Sequence, residues 1–191
     1  EQPLGALPAA RHGWASGWSQ LVSRTRLEMG MVFKSPAYAV LMLLGFAFSI
    51  ANLWFAGEMF GTPILLVTRV AIETLTGAFG LISIIIAIYY SGELVWRDRE
   101  RRMHEIIDAS PTPDWTFVVP KTLALLLVLV STLFVSIGAG LIVQAIKGVT
   151  DFELGKYLAW YLAPQAIGFG QLAVLAIFVQ ALSPNKFVGW A

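Results

Sequence analysis

The chain has 191 residues, 57% of them hydrophobic and 13% charged, with a mean hydropathy of +0.71. That much apolar surface is more than a soluble domain of this length uses, so composition excludes an ordinary soluble globule and points to an integral membrane protein. The formal net charge is +1 and there is no cysteine, which excludes a disulfide framework and thiolate chemistry.

Residues 1–36 are mixed in character. Pro3, Gly5, Pro8 and Gly13 make the opening dozen a linker, and no cleavable signal pattern precedes the first apolar run. Starting at Glu1, the chain reads as a processed protein or a piece of a longer one. An amphipathic helix is predicted over 14–33, with Trp14, Trp18, Leu21, Val22 and Met29 set against Arg24, Arg26 and Glu28. Tryptophan with basic residues suits a helix lying along the membrane surface, and a solvated tail is the alternative. Ser35-Pro36 then opens the first spanning helix.

A hydrocarbon core about 30 Å thick needs roughly 20 apolar residues in a helix rising about 1.5 Å per residue. Four runs meet that length, at about 37–55, 64–90, 122–146 and 157–182. The predicted fold is therefore all-α: a polytopic membrane bundle of four spans over 37–191, preceded by the interfacial helix.

Polar groups inside or beside the runs are few. Arg69 and Glu73 stand four apart, so one helical turn brings them together. They form either a rim salt bridge or a polar contact at the outer mouth of a pathway. Gln144 in the third run, and Gln165, Gln171 and Gln180 in the fourth, prefer the bundle interior, where they serve interhelical hydrogen bonds or line a path. Gly77 with Gly80, and Ser136 with Gly140, fit close helix packing. Pro164, Gly168 and Gly170 predict a kink in the fourth run. Trp54, Phe55, Phe60, Tyr157, Trp160 and Tyr161 are placed in an outer aromatic belt.

Between the second and third runs lies 91–121, where the charge concentrates. Every residue from Arg97 to Arg102 is ionisable. One such side chain at a bilayer centre costs roughly 2.5–3.5 kcal/mol on insertion scales, so the stretch belongs in water or among headgroups. It still reads as a helix. Trp96, Met103, Ile106 and Ile107 share a face, and Glu93 with Arg97 and Asp98 with Arg102 are acid-before-base pairs four apart. Pro111 and Pro113 end it near Ala109 or Ser110, and Asp114 is placed to cap the next helix.

Ten of the 13 Lys and Arg residues fall on one side if the spans alternate: Arg11, Arg24, Arg26, Lys34, Arg97, Arg99, Arg101, Arg102, Lys121 and Lys186. Arg69, Lys147 and Lys156 fall on the other. The positive-inside rule then predicts a cytoplasmic N-terminus, central loop and C-terminus.

Catalytic signatures are missing. There is no Walker A phosphate cradle, no H-E-x-x-H and no G-x-S-x-G. His12 and His104 are too few and too far apart for a metal site. No cofactor is expected, and the chain itself is not expected to be an enzyme. Acidic residues interleaved with arginines suit an ion-paired recognition surface and argue against this loop binding either nucleic acid or anionic lipid.

The loop pattern G-E-L-V-W-R-D-R-E-R-R-M-H-E-I-I-D-A-S-P-T-P-D-W, with Lys121 then standing at the head of an apolar helix, resembles the cytoplasmic loop of ABC-2 type transporter permeases. The matching positions are Glu93, Arg97 to Arg102, Glu105 with Ile106 and Ile107, Ser110-Pro111 and Lys121. The V-W-R-D-R-E form is similar to a bacterial subgroup of long permeases, some of which carry an M1-type zinc aminopeptidase domain beyond the membrane part. The resemblance implies a coupling helix that docks on a separate ABC ATPase subunit, a second permease half, and residence in the bacterial inner membrane among its lipids. The coupling residues it implies are Glu93, Trp96, Arg97, Asp98, Arg99, Glu100, Arg101, Arg102, Met103, Glu105, Ile107 and Asp108. Permeases of this family have six spans per half. Four are counted here, and Phe187 to Ala191 reads as the entry to a fifth. A four-span scaffold or sensor whose charged loop binds another cytoplasmic protein is the alternative function.

Overall fold

A backbone in lipid must satisfy its own polar groups, and a long apolar run does so by becoming a helix. The computed structural model describes residues 14–56, 58–59, 62–63, 65–100 and 115–190. Its order is α1 (Trp14–Phe33), α2 (Pro36–Phe55), a two-residue antiparallel ladder of β1 (Glu58–Met59) and β2 (Thr62–Pro63), then α3 (Thr68–Glu100). Next come α4 (Trp115–Ile146), α5 (Leu154–Lys156), a π turn (Tyr157–Leu162), α6 (Ala163–Leu182) and a 3₁₀ turn (Val188–Trp190). Four helical stretches are long and apolar enough to cross a membrane: Pro36–Phe55, Gly80–Asp98, Trp115–Ile146 and Leu154–Leu182. The chain is a multi-pass membrane protein with an all-α bundle fold.

Several helix limits differ from expectation: α3 starts at Thr68 instead of about 64, and the fourth stretch starts at Leu154 instead of about 157. The second helix runs on to Glu100, because its charged end is helical in continuity with the span. The third begins at Trp115, ahead of Pro120. Proline within the second turn removes only one bond near a helix start, so the helix keeps it. At the first span, the Ser35 side chain accepts a hydrogen bond from the Tyr38 N–H at 3.2 Å, capping α2 where Pro36 fixes the entry.

α4 is the axis of the bundle. It is apolar on all sides, as a buried helix should be, and touches α1, α2, α3 and α6. Leu125, Leu129 and Leu133 on α4 are fully buried with Leu53, Leu75, Ile86 and Leu94 from its neighbours. α2 and α6 are peripheral and show Leu43, Phe48, Ile167, Val174, Leu175 and Phe178 outward, a belt that water would not tolerate and lipid does. Hydroxyls in the apolar zone return their protons to the preceding turn, as Ser49 to the Gly45 carbonyl and Thr132 to that of Leu129.

The close contacts fall differently from the glycine pattern. Gly77 and Gly80 face open space, whereas Gly140 lies against the Tyr157 hydroxyl, 3.1 Å from where a Cβ would stand. Where the sequence predicts a kink at Pro164, the backbone makes the π turn, with the Ala163 N–H bonded to the Leu158 carbonyl five residues back. The wider turn accommodates a proline that cannot donate to the turn before it.

Candidate functional site

Helix polarity divides the bundle into two ends. One gathers the end of α1, the starts of α2 and α4, the charged end of α3 and the turn after α6. The other gathers the end of α2, the β-ladder, the start of α3 and the segment between α4 and α5.

At the second end the polar groups have structural partners. Arg69 Nε donates to Glu73 Oε1 at 2.9 Å, and both side chains are largely exposed. Lys147 Nζ donates to the Trp54 carbonyl at 2.7 Å and the Leu53 carbonyl at 3.2 Å, placing a cation at the C-terminus of α2. Gln144 is fully buried, donates to the Leu66 carbonyl at 3.0 Å and accepts from the Tyr157 hydroxyl at 2.9 Å. Trp54, Phe55 and Trp160 are exposed, as belt residues are, but Tyr157 and Tyr161 are completely buried. Their hydroxyls find Gln144 and Ser136 inside the bundle, which draws the rings inward.

The first end holds the charged stretch, and its residues are tied inward. Glu93 accepts from Lys186 Nζ at 2.8 Å, and the same ammonium reaches Glu100 at 3.4 Å. Arg97 is ion-paired with Glu28 of α1, and each side chain is only 10% exposed. Asp98 accepts from Lys121 Nζ at 2.6 Å, and Lys121 also donates to the Leu94 carbonyl at 2.6 Å. Trp96 Nε1 donates to Gln180 Oε1 at 3.0 Å. Two turns of α3 thus hold α1, α4 and the end of α6 in one collar. The predicted pairing of Glu93 with Arg97, four apart on one helix, is replaced by these interhelical pairs. Partners on neighbouring helices share a drier environment and so a stronger attraction than a solvated i,i+4 pair.

Burial works against the Lys186 charge, but its hydrogen bond to Glu93 and the charges of Glu93 and Glu100 outweigh that and hold its pKa above the ordinary lysine value. The turn carrying Lys186 packs back on α3 through its 3₁₀ turn at Val188–Trp190. Trp190 stacks on Tyr89 with centroids 6.1 Å apart and packs edge-on to Phe187. A Cβ on Gly92 would collide with the Trp190 indole, so the glycine in mid-helix is what lets the turn seat.

Of the other expected site residues, Glu100 is exposed and Arg99 lies on α3. Arg101, Arg102, Met103, Glu105, Ile107 and Asp108 lie outside the described residues, as do His104 and Asp114. Gln180 is fully buried and Gln165 half-buried, in keeping with amides that prefer the interior. Gln171 is not: it is exposed on the outer face of α6 beside Gly170 and Val174.

Two collar partners, Glu28 and Lys186, lie outside the central loop, and the third, Lys121, closes it. Glu28 belongs by composition with Arg24 and Arg26, yet it stands seven after Leu21 and four before Val32, and those three make the buried stripe of α1. Lys121 is the one charge in the 32 residues of α4, which is a signal in itself. Lys186 carries no such signal, because its role depends on the turn after α6. Among the described residues no group of His, Asp and Glu is arranged to hold a metal. No family model, curated protein or solved structure matches the chain.

Proposed function

We propose that this chain is part of the permease of an ABC transporter, seated in a bacterial inner membrane with the collared end in the cytoplasm. ATP is hydrolysed on a separate subunit, and the charged stretch around 96–108 receives the resulting push. The observation that carries this reading is the collar. A stub of charged helix that is pinned by ion pairs to α1, α4 and the end of α6 moves them together, as a coupling element must.

The collar also narrows the docking surface. Glu93, Arg97 and Asp98 spend their charges inside the chain, so recognition of the ATPase falls to Glu100 and to Arg101, Arg102, Glu105 and Asp108 beyond it. The outward amide of Gln171 supports a second permease half. An amide on a lipid-facing helix gains most when a neighbouring helix supplies its partner.

The test is charge reversal at Arg101→Glu with Glu105→Arg. The pair of changes weakens co-purification with the cognate ATPase and uncouples its ATP hydrolysis from transport. Unchanged co-purification together with intact coupled hydrolysis rules the coupling role out. Labelling a cysteine at position 101 from the periplasmic face rules out the orientation.

A further inference from the structure

At the collar, a cavity of about 640 Å³ opens between α1 and α3 at the foot of α2. Arg26, Leu27 and Lys34 form one wall, and Tyr89, Glu93 and Arg97 the other. Four charges of these walls and their partners cancel: Glu93 is taken by Lys186 and Arg97 by Glu28. Arg26 and Lys34 make no ion pair among the described residues. The cavity therefore carries an excess of two positive charges. The N-terminus of the 20-residue α2 points to the same place and adds the positive end of its dipole.

Its depth is set by the sequence. Ser35-Pro36 is the boundary at which α2 becomes apolar, and Tyr89 and Tyr90 are the last ring residues of α3 before its charges begin. The two helices are joined at this level by the Ser35 and Tyr90 hydroxyls, 3.1 Å apart. Tyrosine at the margin of a span marks the headgroup layer. On α1, Leu27 and Trp18 are 60% and 68% exposed, an arrangement that water penalises and acyl chains welcome.

We propose that this cavity binds one phospholipid of net negative charge, its phosphate held between Arg26 and Lys34 and its glycerol and upper acyl region against Leu27 and Tyr89. The site requires only that the chain be embedded in a bilayer, so it stands or falls separately from the transport reading.

The test uses the whole chain purified from bilayers of phosphatidylglycerol mixed with phosphatidylcholine, with lipid retention read by native mass spectrometry. Phosphatidylglycerol is retained in preference. Arg26→Gln and Lys34→Gln each lower the retention ratio about fivefold, since a cation near an anionic surface contributes about that factor. The charge-keeping changes Arg26→Lys and Lys34→Arg preserve it, which also guards against a variant that merely folds poorly. Arg24→Gln leaves the ratio unchanged, because Arg24 lies 3.9 Å over the Phe117 ring instead of in the cavity. An equal drop with Arg24→Gln would mean diffuse attraction to the membrane and would overturn the site. So would loss of the retained lipid to inorganic phosphate alone, which would make the cavity a free-anion site, or an unchanged ratio in both glutamine variants.

Discussion

Cutting the pair between Arg97 and Glu28 is predicted to release α1 while leaving the four spans folded. Each side chain is 10% exposed, so Arg97→Gln strands a carboxylate in a dry setting, at a cost of about 3–5 kcal/mol. The apolar attachment of α1 includes Leu21 and Val32, 8% and 3% exposed, each contributing roughly 1.5–3 kcal/mol on burial, with Met29 and Phe33 partly buried against the core beside them. The stranding cost is about as large as what those two buried side chains contribute together. Detaching α1, which rehydrates Glu28, therefore becomes easier by about that amount, whereas the contacts of α4 with α2, α3 and α6 do not involve the pair. The natural absence of cysteine gives a clean reporter: Leu21→Cys, buried when α1 is docked, labelled with a maleimide. Arg97→Gln or Glu28→Gln accelerates labelling by about 100-fold or more, the equivalent of roughly 3 kcal/mol. Replacing both with methionine restores most of the protection, because no charge is then stranded. Single changes that alter labelling less than about tenfold, or a double change as damaging as the worse single, would refute the reasoning.

Three further outcomes rest on named contacts. Gly92→Ala, which ought to favour the helix by about 1 kcal/mol, instead unseats the turn at Trp190, seen as faster spin-label motion at Phe187→Cys; unchanged mobility counts against the close approach. The raised pKa of Lys186 means that its contribution to the same turn is complete below the ordinary value of 10.5 and fades as pH climbs through the higher folded value. Mobility at Phe187→Cys should rise only in that alkaline range, and Lys186→Arg should abolish the rise. Gln144→Leu leaves the Leu66 carbonyl and the Tyr157 hydroxyl without their partner and destabilises the bundle by about 1–3 kcal/mol in detergent unfolding. A loss below about 0.5 kcal/mol would show that these groups find other partners.

The spans were legible because lipid makes one demand of every residue in a run: be apolar, and close the backbone bonds locally. α2 and α4 show this most simply, and α1 is legible as an amphipathic helix, although Glu28, read with its polar residues, is buried. Harder to read were the residues whose partners lie far along the chain. Tyr157 and Tyr161 look like belt residues until Gln144 and Ser136 are found opposite them. Gly80 looks like a packing glycine, yet it faces open space, because composition does not reveal which side of α3 meets a neighbour.

Length and hydropathy alone determined that four of the described helices are long and apolar enough to cross a membrane, with the charge gathered after the second, since those outcomes depend on transfer energies summed over consecutive residues. Which acid meets which base was decided only in three dimensions. Glu28, Lys121 and Lys186 are 69, 23 and 93 positions from their partners Arg97, Asp98 and Glu93. No local rule links residues so far apart, and it is helix packing around α4 that brings them within reach.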